Sequence, residues 1–111
     1  MRKADVFLHE KKAGELLELE KGNLYVFEYD MDYEGPPVSV TMPKSQNKYI
    51  FDQFPPFFEG LLPEGANLDT LLRIEKIDKN DLFEILMTVG RDTVGAVTVI
   101  EANNEEMSDN I

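Results

Sequence analysis

The chain has 111 residues, 42% of them hydrophobic, and its 22 acidic side chains outnumber 11 basic ones to give a formal charge of -11. That length suits one domain with one modest core, hiding roughly two-thirds of its unfolded surface. There is no cysteine, so disulfides and thiolate metal sites are excluded and a reducing compartment fits best; the acidic balance argues against gripping nucleic acid by its phosphates, which needs a basic face.

The N-terminus, Met1-Arg2-Lys3-Ala4-Asp5, has a basic start but no apolar region behind it, and no apolar run approaches the ~20 residues of a membrane span. A cytoplasmic protein without membrane contact is the expectation. The first 43 residues read as β-structure. Val6, Leu8, Ala13, Leu17 and Leu19, interrupted by charges, mark short half-buried strands, with Lys11-Lys12-Ala13-Gly14 as a turn or bulge. Asn23–Tyr29 is the clearest strand: Leu24, Val26 and Glu28 point one way, Tyr25, Phe27 and Tyr29 the other. Three aromatics on one face suggest core packing. Gly35-Pro36-Pro37 breaks the chain, and Val38-Ser39-Val40-Thr41-Met42 alternates as a further strand until Pro43. Links this short predict an antiparallel sheet of four strands.

After a polar loop (Lys44–Lys48) the period changes. Leu68, Leu71 and Leu72 fit one helix face. Asp78 sits at an N-cap position with Asp81 three residues on, and Leu82, Ile85, Leu86 and Val89 form an amphipathic stripe stopped by Gly90. Val94, Val97, Val99 and Ile100 predict a strand that rejoins the sheet. Residues 101–111 hold four acids and no bases, the composition of a disordered tail. The fold expected is α+β: a small, mostly antiparallel sheet or partly open barrel with two or three short helices packed against it, over residues 1–100.

No catalytic constellation assembles. Gly60–Gly65 and Gly90–Gly95 have the glycine spacing of phosphate loops, but neither is followed by the required lysine and hydroxyl, so both read as turn glycines. His9 is the sole histidine and has no ligand of its own kind or nucleophile beside it. Asp30–Gly35 opens weakly like a calcium loop, then meets Pro36-Pro37. No metal and no cofactor are expected, and the chain reads as a binding domain rather than an enzyme. What remains is Phe54–Gly65, where three phenylalanines and two leucines lie among three prolines and two glycines. The prolines bar a long helix or central strand; at most Phe57–Leu62 makes a short helical turn, with Glu64 and Gly65 leading into the next helix. Such a loop can plug the open end of a sheet or present a partner-binding patch, and the residues themselves leave both open.

Phe57-Phe58-Glu59-Gly60-Leu61-Leu62-Pro63-Glu64-Gly65 resembles the signature of the N-terminal domain of HipA-type toxin kinases. Ala13-Gly14-Glu15-Leu16, Tyr25–Tyr29, Val38–Pro43, Asp81-Leu82-Phe83, Leu86–Asp92 and Gly95-Ala96-Val97 agree in order, so the resemblance runs from Ala4 to Ile100. It implies a domain without the kinase's ATP-binding core, and, in free-standing HipS-like form, an antitoxin that binds and suppresses a separate HipT-like kinase. A HipB-like helix-turn-helix protein would join them as the operator-binding partner, with no direct nucleic-acid contact by this domain. The alternative is a structural module of a full-length kinase that contacts the HipB-like partner. The residues expected to face the kinase are Phe57, Phe58, Leu62, Pro63, Glu64 and Gly65. Because no tryptophan is present, any blocking contact made by an indole in a relative would fall to Phe57, Phe58 or a neighbour.

Overall fold

A computed structural model describes residues 1–92 and 96–102. Five strands, β1 (Arg2–Leu8), β2 (Lys11–Glu20), β3 (Leu24–Tyr29), β4 (Lys48–Phe51) and β5 (Val97–Glu101), pair antiparallel in the order β4-β3-β2-β1-β5. The sheet is open, and three helices accompany it: α1 (Pro56–Glu59), α2 (Gly65–Glu75) and α3 (Leu82–Val89). The α+β class is as expected, and the five strands match four from the first half plus one that rejoins the sheet, although the fourth is Lys48–Phe51. Val94, read as strand, and residues 103–111, read as tail, lie outside the described residues.

The β1–β2 hairpin turns on His9 and Glu10, both at positive φ (51° and 71°). Two left-handed residues in succession give the turn twist that suits a hairpin, although glycine or asparagine is the usual occupant. Beyond it Val6 pairs with Gly14 while Phe7 pairs with Lys12, so Ala13 is an extra residue. This bulge, at the segment read as turn or bulge, resets the side-chain phase of β2. Leu16 and Glu18 consequently face inward, whereas Leu17 is half-buried and Leu19 is 42% exposed. The sequence pattern had favoured Leu17 and Leu19 as the buried pair.

One sheet face carries the core. Ala4, Val6, Leu16, Tyr25, Phe27, Tyr29, Val97 and Val99 are buried together with Phe58 of α1 and Phe83 and Leu86 of α3. The aromatic row on β3 is therefore core, and each ring so buried contributes about 1.5–3 kcal/mol relative to exposure. Phe27 meets Tyr29 edge to face at 4.8 Å, and Tyr29 stacks on Tyr33 at 6.2 Å.

Val38–Met42 is not a strand. The Tyr29 hydroxyl, buried beneath this segment, accepts from the Val38 N–H at 3.0 Å and donates to the Met42 carbonyl at 2.5 Å. The Thr41 N–H donates to Ser39 Oγ (3.1 Å) and the Met42 N–H to the Ser39 carbonyl (3.1 Å). Alternation of apolar and hydroxyl residues here serves a turn, because serine and threonine oxygens capture nearby backbone donors. The strand beside β3 is instead Lys48–Phe51, beginning where the polar loop was expected to end.

The N-cap of α3 is Asp81, not Asp78. Asp81 accepts from the Glu84 N–H at 3.2 Å, while Asp78 accepts from the Asn80 N–H at 2.9 Å and forms the preceding turn. Inward from the cap, Phe83, Ile85 and Leu86 are buried. Gly90 follows, and its lack of a side chain matters: a Cβ would collide with the Val99 carbonyl oxygen where the chain passes β5.

Candidate functional site

The Phe54–Gly65 segment begins inside the core and ends in solvent. Phe54 lies edge to face on Tyr25 (5.3 Å), and Pro55 is fully buried. Pro56 occupies the first turn of α1, where its missing N–H costs nothing. Bonds from the Phe58 N–H to the Pro55 carbonyl, from Leu61 to Phe58 and from Leu62 to Glu59 carry the coil on to Leu62. The short helical turn expected across Phe57–Leu62 is present. Phe58 packs on Phe27 at 5.7 Å, and Phe57 meets Phe58 edge to face at 5.1 Å.

Phe58 has no exposed surface. Its ring fills the space over β3, so it cannot itself face a partner, contrary to its place among the expected contact residues. Phe57 is half-buried and lines an apolar groove of about 180 Å³ with Pro56, Thr41, Met42, Tyr49 and Phe51. Leu62 and Pro63 are half-buried, and Glu64 and Gly65 are exposed. Gly65 sits at φ 61° with nothing near its missing side chain, so the backbone, not crowding, calls for glycine there. The segment is thus a core plug through Phe54, Pro55 and Phe58, and its outer edge runs from Phe57 to Gly65. Sequence reasoning missed Thr41, Met42, Tyr49 and Phe51 as groove residues. The signal that could have found the last two is the Tyr49-Ile50-Phe51 run of strand-forming side chains.

The strongest electrostatic cluster lies elsewhere. Arg2 donates from Nε to Glu18 (2.7 Å) and in bidentate fashion to Asp81 (2.8 and 3.2 Å), and its guanidinium lies 5.0 Å from the centre of the Phe83 ring. Glu18, only 4% exposed, also accepts from the Tyr25 hydroxyl at 2.9 Å. Burial pushes the Glu18 carboxyl up, but hydrogen bonds from Arg2 and Tyr25 outweigh it and hold the group below its ordinary range. Asp81 is likewise held low: burial opposes, while Arg2 and the Glu84 N–H prevail. Burial and the Glu18 bond push the Tyr25 hydroxyl up to about 12. Every polar member has a partner, so the cluster ties β1, β2, β3 and α3 together and leaves no group free for acid–base work.

On the other side of the domain, Lys12 reaches Glu15 (3.2 Å), Asp5 (3.5 Å) and Asp30 (3.7 Å). His9 is exposed in its turn. Among the described residues no group of three or more His, Cys, Asp or Glu side chains is placed to hold a metal ion, and no helix is long and apolar enough to cross a membrane. What the segment presents to solvent is a partly exposed edge, Phe57 to Gly65, built on an aromatic plug.

Comparison with known proteins gives the family. The family model for the HipA N-terminal domain matches residues 4–100, and the chain belongs to that family. An uncharacterized protein of Haemophilus influenzae is 34% identical over 101 residues, covering 91% of this chain and 93% of the relative. The serine/threonine-protein kinase toxin HipA of Shewanella oneidensis is 28% identical over 98 residues, covering 86% of this chain and 22% of the kinase. Among solved structures, the N-terminal domain of HipA toxin superposes with a TM-score of 0.74 at 31% identity, over 93% of this chain and 94% of that one. A Shewanella oneidensis complex of HipA, HipB and operator DNA gives a TM-score of 0.69 at 26% identity, over 87% of this chain and 23% of its match. The match is to the domain that precedes the kinase core, not to the catalytic domain, and it ties the chain to toxin–antitoxin proteins.

Proposed function

We propose that this domain is the antitoxin component of a type II toxin–antitoxin system, binding and inhibiting a separate HipT-like serine/threonine kinase toxin in the cytoplasm. The observation that carries the reading is the pair of relatives. The same domain recurs at nearly full length in the Haemophilus protein and as about a fifth of the Shewanella kinase. A domain that kinases carry in one polypeptide can act on a kinase supplied in another. Phe57, Leu62, Pro63, Glu64 and Gly65 supply the contact edge, with Phe58 supporting it from the core. Phe57 and its groove offer a desolvated anchor of the kind that dominates interface energies. The domain transfers no phosphate itself, and a HipB-like protein supplies DNA contact in any ternary complex. Co-expression with the kinase encoded beside it tests this: the two should co-purify, and growth arrest by the kinase should be relieved. Absence of both effects would sink the proposal.

A second reading is favoured by the Shewanella complex, whose HipA includes a matching domain alongside HipB. Here the domain would be the N-terminal module of a HipA-type kinase, contacting the HipB-like partner. Kinase motifs continuing in frame beyond Ile111 would decide for it.

A further inference from the structure

The open sheet ends at β4, an edge whose residues match their own reverse. The Tyr29 N–H donates to the Asn47 carbonyl at 2.9 Å, and β3 and β4 then pair Phe27 with Tyr49 and Tyr25 with Phe51. Backbone groups alternate between the two sides of an antiparallel strand. Tyr49 and Phe51 therefore turn theirs to β3, while Lys48 and Ile50 turn theirs away from the sheet. Gln46 Nε2 donates to the outward Lys48 carbonyl at 2.7 Å. Among the described residues nothing bonds the outward N–H and carbonyl of Ile50, and its side chain is 68% exposed. Around it the sequence runs Lys48-Tyr49-Ile50-Phe51-Asp52: a base, an aromatic, an aliphatic, an aromatic and an acid. Reversed, the series is the same with the charges exchanged, which is what a strand needs to lie antiparallel to its own copy about a twofold axis.

We infer that two copies of this chain associate edge to edge through β4, with the twofold axis at Ile50, joining two five-stranded sheets into one. The Ile50 N–H of each copy donates to the Ile50 carbonyl of the other. Tyr49 lies opposite Phe51 of the second copy, and Lys48 opposite Asp52 of the second copy, each pair occurring twice by symmetry. Backbone phase and side-chain pattern select the same register. A symmetric pair that exchanges two hydrogen bonds is centred on an outward-facing residue, and centring on Lys48 would set two lysines against each other. Aromatic and opposite-charge cross-strand pairs stabilise a sheet, whereas like charges directly opposite destabilise it. Neither Lys48 nor Asp52 makes an ion pair among the described residues. Tyr49 and Phe51 also line the groove beside Phe57, so the second copy continues that apolar surface. The net charge of -11 opposes self-association, but at about 0.15 M salt charges more than ~8 Å apart are largely screened, and the charges nearest this seam are of opposite sign. The inference is independent of the antitoxin reading, since it concerns the chain alone.

Sedimentation of the full chain at about 0.15 M salt, up to roughly 0.5 mM protein, tests it, because a seam this small makes a weak dimer. The parent should pass from monomer to dimer across that range, and the Ile50 amide should exchange more slowly as concentration rises. Lys48→Asp, Asp52→Lys and Ile50→Lys should each weaken the dimer about tenfold or more. Their melting temperatures, read in dilute solution, should stay close to the parent's, since all three side chains are exposed. The double exchange Lys48→Asp/Asp52→Lys should restore association. A parent that stays monomeric throughout would overturn the inference, as would one whose Ile50 amide gains protection only when another protein is added. Dimerisation that all three single variants leave within about threefold would move the contact away from β4, and failure of the double exchange to restore it would refute the register.

Discussion

Replacing Arg2 with methionine should be among the costliest changes available at a half-exposed position. The substitution keeps an apolar stem against Phe83 but removes the cation that satisfies Glu18 and Asp81. Breaking a fully buried ion pair by deleting one partner costs about 3–5 kcal/mol, because the other charge is left unpaired. The Arg2 side chain is 32% exposed while Glu18 is 4% exposed, so water can relieve part of that cost, and about 2–3 kcal/mol is expected. For a domain of this size that lowers the melting temperature by about 10–15 °C. The pH dependence gives the sharper check. Both carboxyls are held below their ordinary values of 4.5 for Glu18 and 3.8 for Asp81. Their pairing therefore contributes fully above those values and is lost as pH falls through the lower folded values. In Arg2→Met the burial of Glu18 acts unopposed by the guanidinium, so the group takes up a proton in milder acid. Thermal melts of both proteins should differ most at pH 7 and draw together only as pH falls through the depressed folded values of the two carboxyls, that of Asp81 lying below 3.8. A difference under about 3 °C at pH 7, or one that does not shrink in acid, would refute the reasoning.

Tyr29→Phe should cost about 1–3 kcal/mol, since it strands the Val38 N–H and the Met42 carbonyl. Hydrogen exchange should then accelerate across residues 36–43 before it does so in β3. Phe58→Ala, at a core position against Phe27, should cost about 3–5 kcal/mol, read in denaturant titration. Phe57→Ala should cost less in the same titration, because that ring is only half-buried, but should weaken kinase binding more than a structural change of that size explains. Gly90→Ala should destabilise by more than 2 kcal/mol on the order of a core defect, because the added Cβ meets the Val99 backbone.

Much of this architecture was legible in the sequence where one period ran unbroken. The β3 aromatics alternate without interruption, and their burial followed. The Leu82–Val89 stripe marked α3, although Phe83 lay outside it and is buried. Legibility failed where a local hydrogen bond or an extra residue reset the period. Ala13 shifts the phase of β2, and no spacing rule shows which of two leucines a bulge will turn inward. Val38–Met42 has strand-like alternation, but a hydroxyl from nine residues earlier holds it in a turn. β4 is an edge strand of four residues with no buried side chain, too short for its pattern to stand out. At the candidate site, the Phe54–Gly65 composition marked the segment but could not separate adjacent Phe57 and Phe58. That distinction depends on which ring the α1 turn directs over Phe27, a contact between residues some thirty positions apart.

The order of the strands also constrains how the chain folds as it is made. β4-β3-β2-β1 is a meander of neighbours in sequence, and it can zip together while later residues are still being added. β1 then waits with one edge bare until Val97–Glu101 arrives to pair with it. During synthesis the unpaired backbone of Ala4–Leu8 is the strand edge most open to a neighbouring nascent chain. β5 thus acts as a late closing strand: variants that weaken its pairing should lower soluble yield in cells before they measurably lower the stability of protein already folded.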